Sequence, residues 1–217
     1  MNDFLNALTP DNLGYLMQGL WITVAVSVLS IVVSFILGSV IGIVMFEKIP
    51  YFSSLVGTLN NIVRNLPLLL IIFFTYFALP QIGIRLPVFW STVVAMSFFE
   101  AAMLSEIIRG GLDSIDKGQF EGARSTGMSN RQTMMYIILP QAYKKMIPPL
   151  ISQLISLVKD TSLASGIVLA DLTFRGQVVY AQNSHYIVPI LVFMTFCYFI
   201  VNYLLSLLAK RLDRHLA

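Results

Sequence analysis

Long apolar runs separated by short polar segments dominate the pattern along this chain. The first run is the clearest, because no charged residue lies between Asp11 and Glu47. A helix that crosses a bilayer needs about 20 largely apolar residues, so this run predicts a span that tilts or extends beyond the hydrocarbon layer. The whole pattern predicts five spans, at residues 16–45, 52–79, 87–108, a broken fourth span from about residue 135, and 186–209.

Three of the predicted spans contain helix-breaking or charged residues. Arg64 and Pro67 interrupt the second span, and Glu100 and Glu106 interrupt the third. Between Lys145 and Lys159 the fourth span has only 13 uncharged residues, and two of these are the prolines at 148–149. Because proline removes a helical hydrogen bond and clashes with the preceding turn, we expect the fourth span to be broken here.

Gly38 and Gly42 match the small-xxx-small pattern of helices that pack closely in membranes. The pattern predicts that the first span uses this face as a packing seam. In a glycine-rich apolar helix the same match also arises by chance.

Composition agrees with a membrane protein. Of 217 residues, 57% are hydrophobic and 12% are charged, against about 45–50% and about 25% in soluble domains, and the mean hydropathy is +0.78. These values exclude a disordered chain and argue against a soluble enzyme. The formal net charge of +3 is too small and too dispersed for nucleic-acid binding. The sequence therefore predicts an all-α, polytopic membrane protein with a single transmembrane domain over residues 1–217.

The sequence contains no pattern for a metal site or for catalysis. Its one cysteine, Cys197, excludes an internal disulfide and a cysteine zinc site. His185 and His215 lie 30 positions apart without a nearby carboxylate spacing, so we expect no metal site. No phosphate-binding loop of the GxxxxGK(S/T) type occurs, and no nucleophile–base arrangement is evident. We expect neither a resident cofactor nor an enzymatic activity.

The distribution of Lys and Arg predicts the orientation of the chain. The connection at residues 109–145 carries six of them and the C-terminal tail three, whereas the first 14 residues carry none. Because cytoplasmic loops are enriched in Lys and Arg, we expect the connection and the C-terminus in the cytoplasm and the N-terminus outside. An odd number of spans agrees with ends on opposite sides.

The polar loop, residues 112–140, carries recognisable helix signals. Asp116 with Gln119, and Ser129 with Gln132, each resemble a capping box that opens a helix. Gly127 lies where the first helix would need a left-handed stop. The pattern therefore predicts two short helices that meet at Gly127.

One face of the first loop helix consists of small residues, namely Gly118, Gly122 and Ala123. Small residues permit the close approach of another surface, which favours docking into the groove of a partner. An ordinary surface helical hairpin explains the same features without a partner.

The polar loop resembles a known motif. Residues 121–123 (EGA), then Gly127, then residues 138–140 (ILP) resemble the "EAA" loop of the membrane permease subunits of ATP-binding-cassette importers. Gly122 replaces the middle alanine of that motif, a small-for-small change that lowers helix propensity by about 1 kcal/mol.

Three further segments resemble the polar amino acid permease group of that family, in the order that the group has them. Residues 64–69 (RNLPLL) resemble its RGTPLL segment, 105–111 (SEIIRGG) its AExxRGG, and 159–163 (KDTSL) its KDTSL. Met103 stands where the group often has tyrosine, which puts the identity of the substrate in doubt but not the class.

The resemblance implies a permease that is driven by a separate ATPase subunit, which binds the ATP. It implies further partners: an extracytoplasmic solute-binding protein, a second permease chain, identical or homologous, and an amino acid as substrate. By the same match Glu121, Gly122, Ala123 and Gly127 contact or position the ATPase, and Gly118 extends their small-residue face.

The candidate substrate ligands are the polar residues with the highest free-energy cost of insertion into lipid. Arg64 and Glu100 are predicted near the middle of their spans, where ionised groups face a cavity or pair with each other. They form either an ion pair or separate contacts to the substrate; the ion pair is the simpler prediction because it explains both residues. Asp160, Thr161 and Ser162 follow the broken span and form either a binding loop or a helix cap.

A channel or a standalone secondary transporter for small polar solutes is the competing class. Inverted repeats would favour a secondary transporter, and none is visible in the sequence.

Overall fold

The computed structural model describes residues 2–216, without the side chains of residues 2, 210 and 212–216. In this part of the chain all regular elements are helical. The α-helices are α1 (Asn2–Ala7), α2 (Pro10–Phe46), α3 (Phe52–Arg64), α4 (Leu68–Phe73), α5 (Val88–Asp113), α6 (Lys117–Ser125), α7 (Asn130–Thr133), α8 (Leu139–Asp160), α9 (Leu172–Tyr180) and α10 (Ile187–Leu216). Two π-helical segments, Phe74–Ala78 and Met134–Ile138, and three 3-10 segments, Leu79–Ile82, Thr161–Ile167 and Ser184–Tyr186, connect or extend them.

The described residues contain three helices long and apolar enough to cross a membrane: residues 10–46, 88–113 and 184–209. Two further helix pairs pass the same test together but are bent, by 98° after Arg64 and by 52° after Ile167. If each bent pair is one span, the structure contains five spans, as the sequence predicts. The all-α, polytopic fold class is confirmed.

The break in the fourth span is not where the sequence places it. α8 continues through Pro148 and Pro149, and the chain bends only after the 3-10 segment Thr161–Ile167. Met146 and Leu150 flank the two prolines and are buried against α5. This packing holds the helix together although the prolines remove two of its backbone donors.

The second span, by contrast, is broken at the predicted position. α3 ends at Arg64 and α4 begins after Pro67, at which point the chain turns by 98°. Proline disfavours the helical conformation for the residue before it, so Leu66 cannot continue α3.

α2 and α5 cross at close range through Gly38 and Gly42. A Cβ atom on Gly38 would lie 2.9 Å from the carbonyl oxygen of Ala101, and one on Gly42 would lie 2.7 Å from that of Ser105. Backbone atoms cannot move aside as a flexible side chain can. The predicted seam is therefore a real close approach, and only glycine fits at either position.

The other long contact of α5 is with α8. Their shared core is a cluster of buried apolar side chains that also includes Ile115, from the link between α5 and α6. Its members are Leu104, Ile108, Leu112, Ile115, Ile138, Ala142, Met146 and Leu150. The polar loop between the two helices is thus anchored on a packed helix pair.

We predict that Gly42→Ala destabilises the protein although alanine favours helices. Its Cβ would press on the α5 backbone, and overpacking of this kind costs about 1–3 kcal/mol, so the apparent Tm in detergent should fall by roughly 3–10 °C. Gly14→Ala is the matched control in the same helix, because no atom lies within 4 Å of the position that its Cβ would take. An unchanged Tm for Gly42→Ala would contradict the close crossing.

Candidate functional site

α6 is a capped helix with a left-handed stop, as predicted. Asp116 is its N-cap and accepts a hydrogen bond from the backbone N–H of Gly118 at 2.6 Å. The chain leaves the helix at Gly127, whose φ is +86°. There the N–H of Met128 donates to the carbonyl of Ala123 at 3.3 Å, a reversal that glycine makes without strain.

The capping box predicted at Asp116 is only half formed. Gln119 does not reach back to the cap; its side-chain oxygen accepts a hydrogen bond from Gln141 of α8 at 3.2 Å. At Ser129 both halves of the second box are present. Gln119 thus does not complete the capping box, and its side chain links α6 to α8 instead.

The second loop helix is not short. α7 passes without a break through the π-helical segment Met134–Ile138 into α8. Pro140 lies in the first turn of α8 and has no N–H to donate to the preceding turn, and π-bulges accommodate such interruptions. The start of α7 and the end of α8 therefore belong to one continuous rod.

Gly118, Glu121 and Gly122 are exposed on α6, and no atom lies within 4 Å of the Cβ position of Gly122. These three residues form the open face of α6. Ala123 does not belong to this face, because it is 8% exposed and packs toward its own chain. Successive residues of a helix point about 100° apart, so Gly122 faces outward whereas Ala123 faces the chain.

A second bond, besides Gln141–Gln119, fixes the polar loop to α8. The Nζ of Lys145 donates to the carbonyl oxygen of Ser114 at 2.8 Å. Ser114 caps the C-terminus of α5, where orphan carbonyls attract cations. Two successive turns of α8, at Gln141 and Lys145, therefore hold the polar loop at Gln119 and at Ser114.

The predicted ion pair between Arg64 and Glu100 is wrong. The Nη1 of Arg64 lies 3.6 Å from the Oε2 of Glu106 instead. Glu106 is six residues further along α5, about 9 Å at 1.5 Å per residue. The Arg64 side chain reaches back along α3 to make this contact, and its Nη1 also donates to Asn61 Oδ1, one turn earlier, at 3.4 Å.

Glu106 belongs to a chain of charges on α5. Arg109 makes two contacts to the Glu106 carboxylate and donates from Nη1 to Asp113 Oδ2 at 2.6 Å. One turn before Arg64, the Nδ2 of Asn60 donates to the carbonyl of Ala102 at 3.3 Å. The Oδ1 of Asn60 also accepts a hydrogen bond from the hydroxyl of Ser105 at 3.1 Å. α3 is thus tied to α5 by two neutral hydrogen bonds and one charged contact.

Glu100 lies in a separate, buried niche. It is 2% exposed, and its Oε2 accepts a hydrogen bond from the Nε2 of Gln153 at 3.1 Å. Its other oxygen, Oε1, and the hydroxyl of Ser97 one turn earlier have no hydrogen-bond partner among the described residues. Asp160 lies on α8 seven residues after Gln153, which places both residues on the same face of that helix. We call Ser97, Glu100, Gln153 and Asp160 the carboxylate niche.

Thr161 and Ser162 are close to the niche in sequence, but their hydroxyls are already bonded. Thr161 Oγ1 donates to the carbonyl of Val158 at 2.7 Å, and Ser162 Oγ donates to that of Lys159 at 2.8 Å. Both bonds satisfy carbonyls at the end of α8, which is the arrangement of a helix cap.

Gln153, Ser97 and Glu106 did not stand out as site residues in the sequence. A neutral glutamine or serine in an apolar run adds no charge, so it does not mark a site in the way that an ionised residue does. Glu106 lies inside the matched 105–111 segment, and that motif was the signal that could have identified it.

We predict that Arg64 and Glu106 are energetically coupled. In a double-mutant cycle, Arg64→Gln and Glu106→Gln should be non-additive by about 0.5 kcal/mol or more in stability, because each single change leaves its partner unpaired. The cycle of Arg64→Gln with Glu100→Gln is the control and should be additive. Thermal unfolding in detergent measures the stability of every variant in both cycles. Non-additivity in the Arg64/Glu100 cycle alone would support the Arg64–Glu100 ion pair instead.

The chain is similar to known permeases over almost its full length. It is 48% identical to the probable glutamine ABC transporter permease GlnP of Bacillus subtilis, covering 97% of this chain and 98% of that protein. It is 32% identical to the arginine transport permease ArtQ of the same organism, covering 100% and 98%. A solved amino acid ABC transporter with histidines superimposes with a TM-score of 0.86 at 29% identity, over 93% of this chain and 94% of that one.

These matches confirm the resemblance seen in the sequence motifs. Residues 34–217 also match the family described as binding-protein-dependent transport system inner membrane component. That match covers most of the chain, including the polar loop and the carboxylate niche. The chain therefore belongs to the binding-protein-dependent transport system inner membrane component family, the membrane permeases of ABC importers.

Proposed function

We propose that this chain is the permease subunit of an importer for polar amino acids and forms the translocation pathway as one transmembrane unit, residues 1–217. The observation that supports the proposal is the carboxylate niche, in which Glu100 is buried inside a membrane permease and one of its carboxylate oxygens has no partner among the described residues. Buried carboxylates in a membrane face a cavity, a partner or a cargo. The family membership argues against a standalone secondary transporter or channel.

The distribution of basic residues supports the orientation. The polar loop and the C-terminal tail face the cytoplasm and the N-terminus faces outside, since Lys and Arg concentrate in the former. A solute-binding protein delivers the amino acid on the outer side, and a second permease chain completes the pathway. The ATP is bound by a separate ATPase subunit on the cytoplasmic side.

The open face of α6 is the docking surface for that ATPase. Gly118 and Gly122 leave its surface flat enough for a groove to close around the helix, and Glu121 adds one charge beside them. Ala123 and Gly127 act from the other side: the first packs α6 on its own chain, and the second sets the direction in which the chain leaves it.

α8 transmits the movement of α6 to the niche. Gln141, near its start, holds Gln119 of the loop, and Gln153, 12 residues later, holds Glu100. The two positions are about 18 Å apart along one helix. A shift of α6 against the membrane therefore changes the Gln153–Glu100 contact without any separate relay.

The carboxylate niche accepts the ammonium group of the substrate. Glu100 Oε1 is an acceptor without a partner in the described chain, and an α-ammonium group is common to all amino acids, including those named for the similar permeases. Arg64 is engaged with Glu106 and stands outside the niche. The hydroxyls of Thr161 and Ser162 already donate to carbonyls at the end of α8, so these residues shape the backbone next to Asp160 and do not donate to the substrate.

Reconstitution tests the proposal. The permease, co-expressed with a genomically adjacent ATPase and its binding protein, is placed in proteoliposomes, and uptake of labelled glutamine is measured with a competing panel of amino acids. We expect uptake that requires ATP and is competed by polar amino acids. Equal uptake without the ATPase would support the secondary-transporter alternative instead.

Gly122→Leu should uncouple the permease from its ATPase. Gly122 is exposed and no atom lies within 4 Å of the position of an added Cβ, so we expect the variant to fold, but its side chain would fill the space in which the partner docks. Co-purification of the ATPase and ATP-driven uptake should each fall at least about tenfold. Gly122→Ala is the control and should behave like the wild type, since alanine also favours the helix. Full coupling of the leucine variant would exclude this face from docking.

Glu100→Gln should weaken substrate binding by about 10- to 100-fold, the loss of one charge-assisted hydrogen bond. Binding of labelled glutamine and arginine to the permease–ATPase complex, without the solute-binding protein, measures this directly. Asp11→Asn removes an exposed carboxylate and serves as the control. The loss should affect both amino acids if the α-ammonium is the ligand; a loss confined to arginine would assign Glu100 to a cationic side chain instead.

A further inference from the structure

A cleft lies at the polar end of the molecule, between the end of α2, α6 and the start of α7. Its volume is about 530 Å³. Its lining combines apolar and cationic side chains and includes Phe46, Glu47, Phe120, Arg124, Arg131 and Met134. None of these residues belongs to the open face of α6 or to the carboxylate niche.

The cleft contains uncompensated positive charge. Arg124 and Arg131 are both exposed, and neither makes an ion pair or a hydrogen bond from its side chain within the described part of the chain. Glu47 also lines the cleft but is beyond ion-pairing distance of both. Thr133, which lines the cleft too, is only 1% exposed and its hydroxyl has no partner among the described residues. Two cations and a free hydroxyl together suit an oxyanion.

Arg124 lies at the edge of the proposed ATPase surface, between that surface and the cleft. It is about 200° around the helix from Gly122 but only about 60° from Glu121, three positions earlier. On its other side Arg124 neighbours Phe120, which is partly buried and also lines the cleft. A contact between this guanidinium and the ATPase is therefore one of the outcomes that the test below distinguishes.

An apolar stripe leads from α2 into the cleft. Ile36, Val40 and Ile43 are 59%, 58% and 47% exposed, respectively, and their spacing of four and three residues places them on one face of α2. Four residues beyond Ile43 the same face reaches Glu47, at the mouth of the cleft. A ligand that fits both parts has an anionic head and an apolar chain.

We propose that this cleft binds the headgroup of an anionic phospholipid from the cytoplasmic leaflet, with an acyl chain along the α2 stripe. The phosphate accepts hydrogen bonds from Arg124 on α6 and Arg131 on α7. The lipid therefore links α6 to the start of the continuous α7–α8 helix. Basic pockets next to cytoplasmic helix ends recognise such headgroups. The leaflet assignment rests on the proposed function, whereas the cleft and its two arginines do not.

The test measures lipid binding to the full-length permease co-purified with its ATPase. The complex is placed in nanodiscs of phosphatidylcholine with increasing phosphatidylglycerol, and bound phosphatidylglycerol is counted by native mass spectrometry. At about 1 kcal/mol for each arginine, Arg124→Gln should weaken binding about 5-fold and the double variant with Arg131→Gln about 30-fold. Arg85→Gln removes the same charge from an exposed loop outside the cleft, and its affinity should equal that of the wild type.

Three outcomes would overturn the proposal. Equal phosphatidylglycerol binding by the double variant would remove the cleft as the site. Displacement of the lipid by millimolar inorganic phosphate would assign the arginines to a soluble anion. Loss of the ATPase subunit from the double variant, with lipid affinity unchanged, would make the arginines partner contacts. The binding assay requires no transport, so a failure of the proposed function leaves its result interpretable.

Discussion

The close crossing of α2 and α5 is the contact on which the rest of the structure depends. Lipid gives helices little hydrophobic reason to associate, so packing of backbones through small residues supplies the attraction. Gly38 and Gly42 let α2 approach the α5 backbone to distances that exclude a methyl group. With α2 fixed, the other faces of α5 are free for α8 and for the end of α3.

α5 is therefore the helix that carries both groups of charges. Glu100 faces α8 and is held by Gln153, whereas Glu106 faces the end of α3 and is held by Arg64. Six positions along a helix correspond to about 240° of rotation as well as about 9 Å, so two glutamates on one helix serve different neighbours. The separation leaves Glu100 with one free acceptor inside the described part of the protein and makes the Glu106 network a structural link between helices.

The polar loop and the niche are connected because α7, the π-helical segment and α8 form one rod. Gln119 gives up its local cap and bonds Gln141 instead. The start of α6 therefore lacks one capping hydrogen bond and gains a contact to α8. This contact lies next to the surface on which we propose that the ATPase docks. The proposed lipid cleft lies beside the open face of α6, where it is lined by Phe120 and Arg124, so a ligand there would act on the same helix.

The sequence by itself determined the all-α class, the five apolar segments, the family and the local geometry of the loop. These follow from short-range rules: charge-free length, helix caps, and the need for glycine at positive φ at Gly127. The break after Arg64 was also readable, because Pro67 acts on its immediate neighbour. For the same reason the small-xxx-small pattern at Gly38 and Gly42 could be recognised, although its partner helix could not.

Only the tertiary structure decided which polar residues meet. The ion pair expected between Arg64 and Glu100 assumed that the two side chains face each other, but Arg64 reaches back along α3 to Asn61 and Glu106, and Glu100 faces Gln153 of α8. Pro148 and Pro149 were expected to break α8, but packing of their neighbours on α5 outweighs the local preference. Gln153, a neutral residue in an apolar run, becomes a ligand of Glu100 only through the α5–α8 contact, because its significance depends on a neighbour 53 positions away.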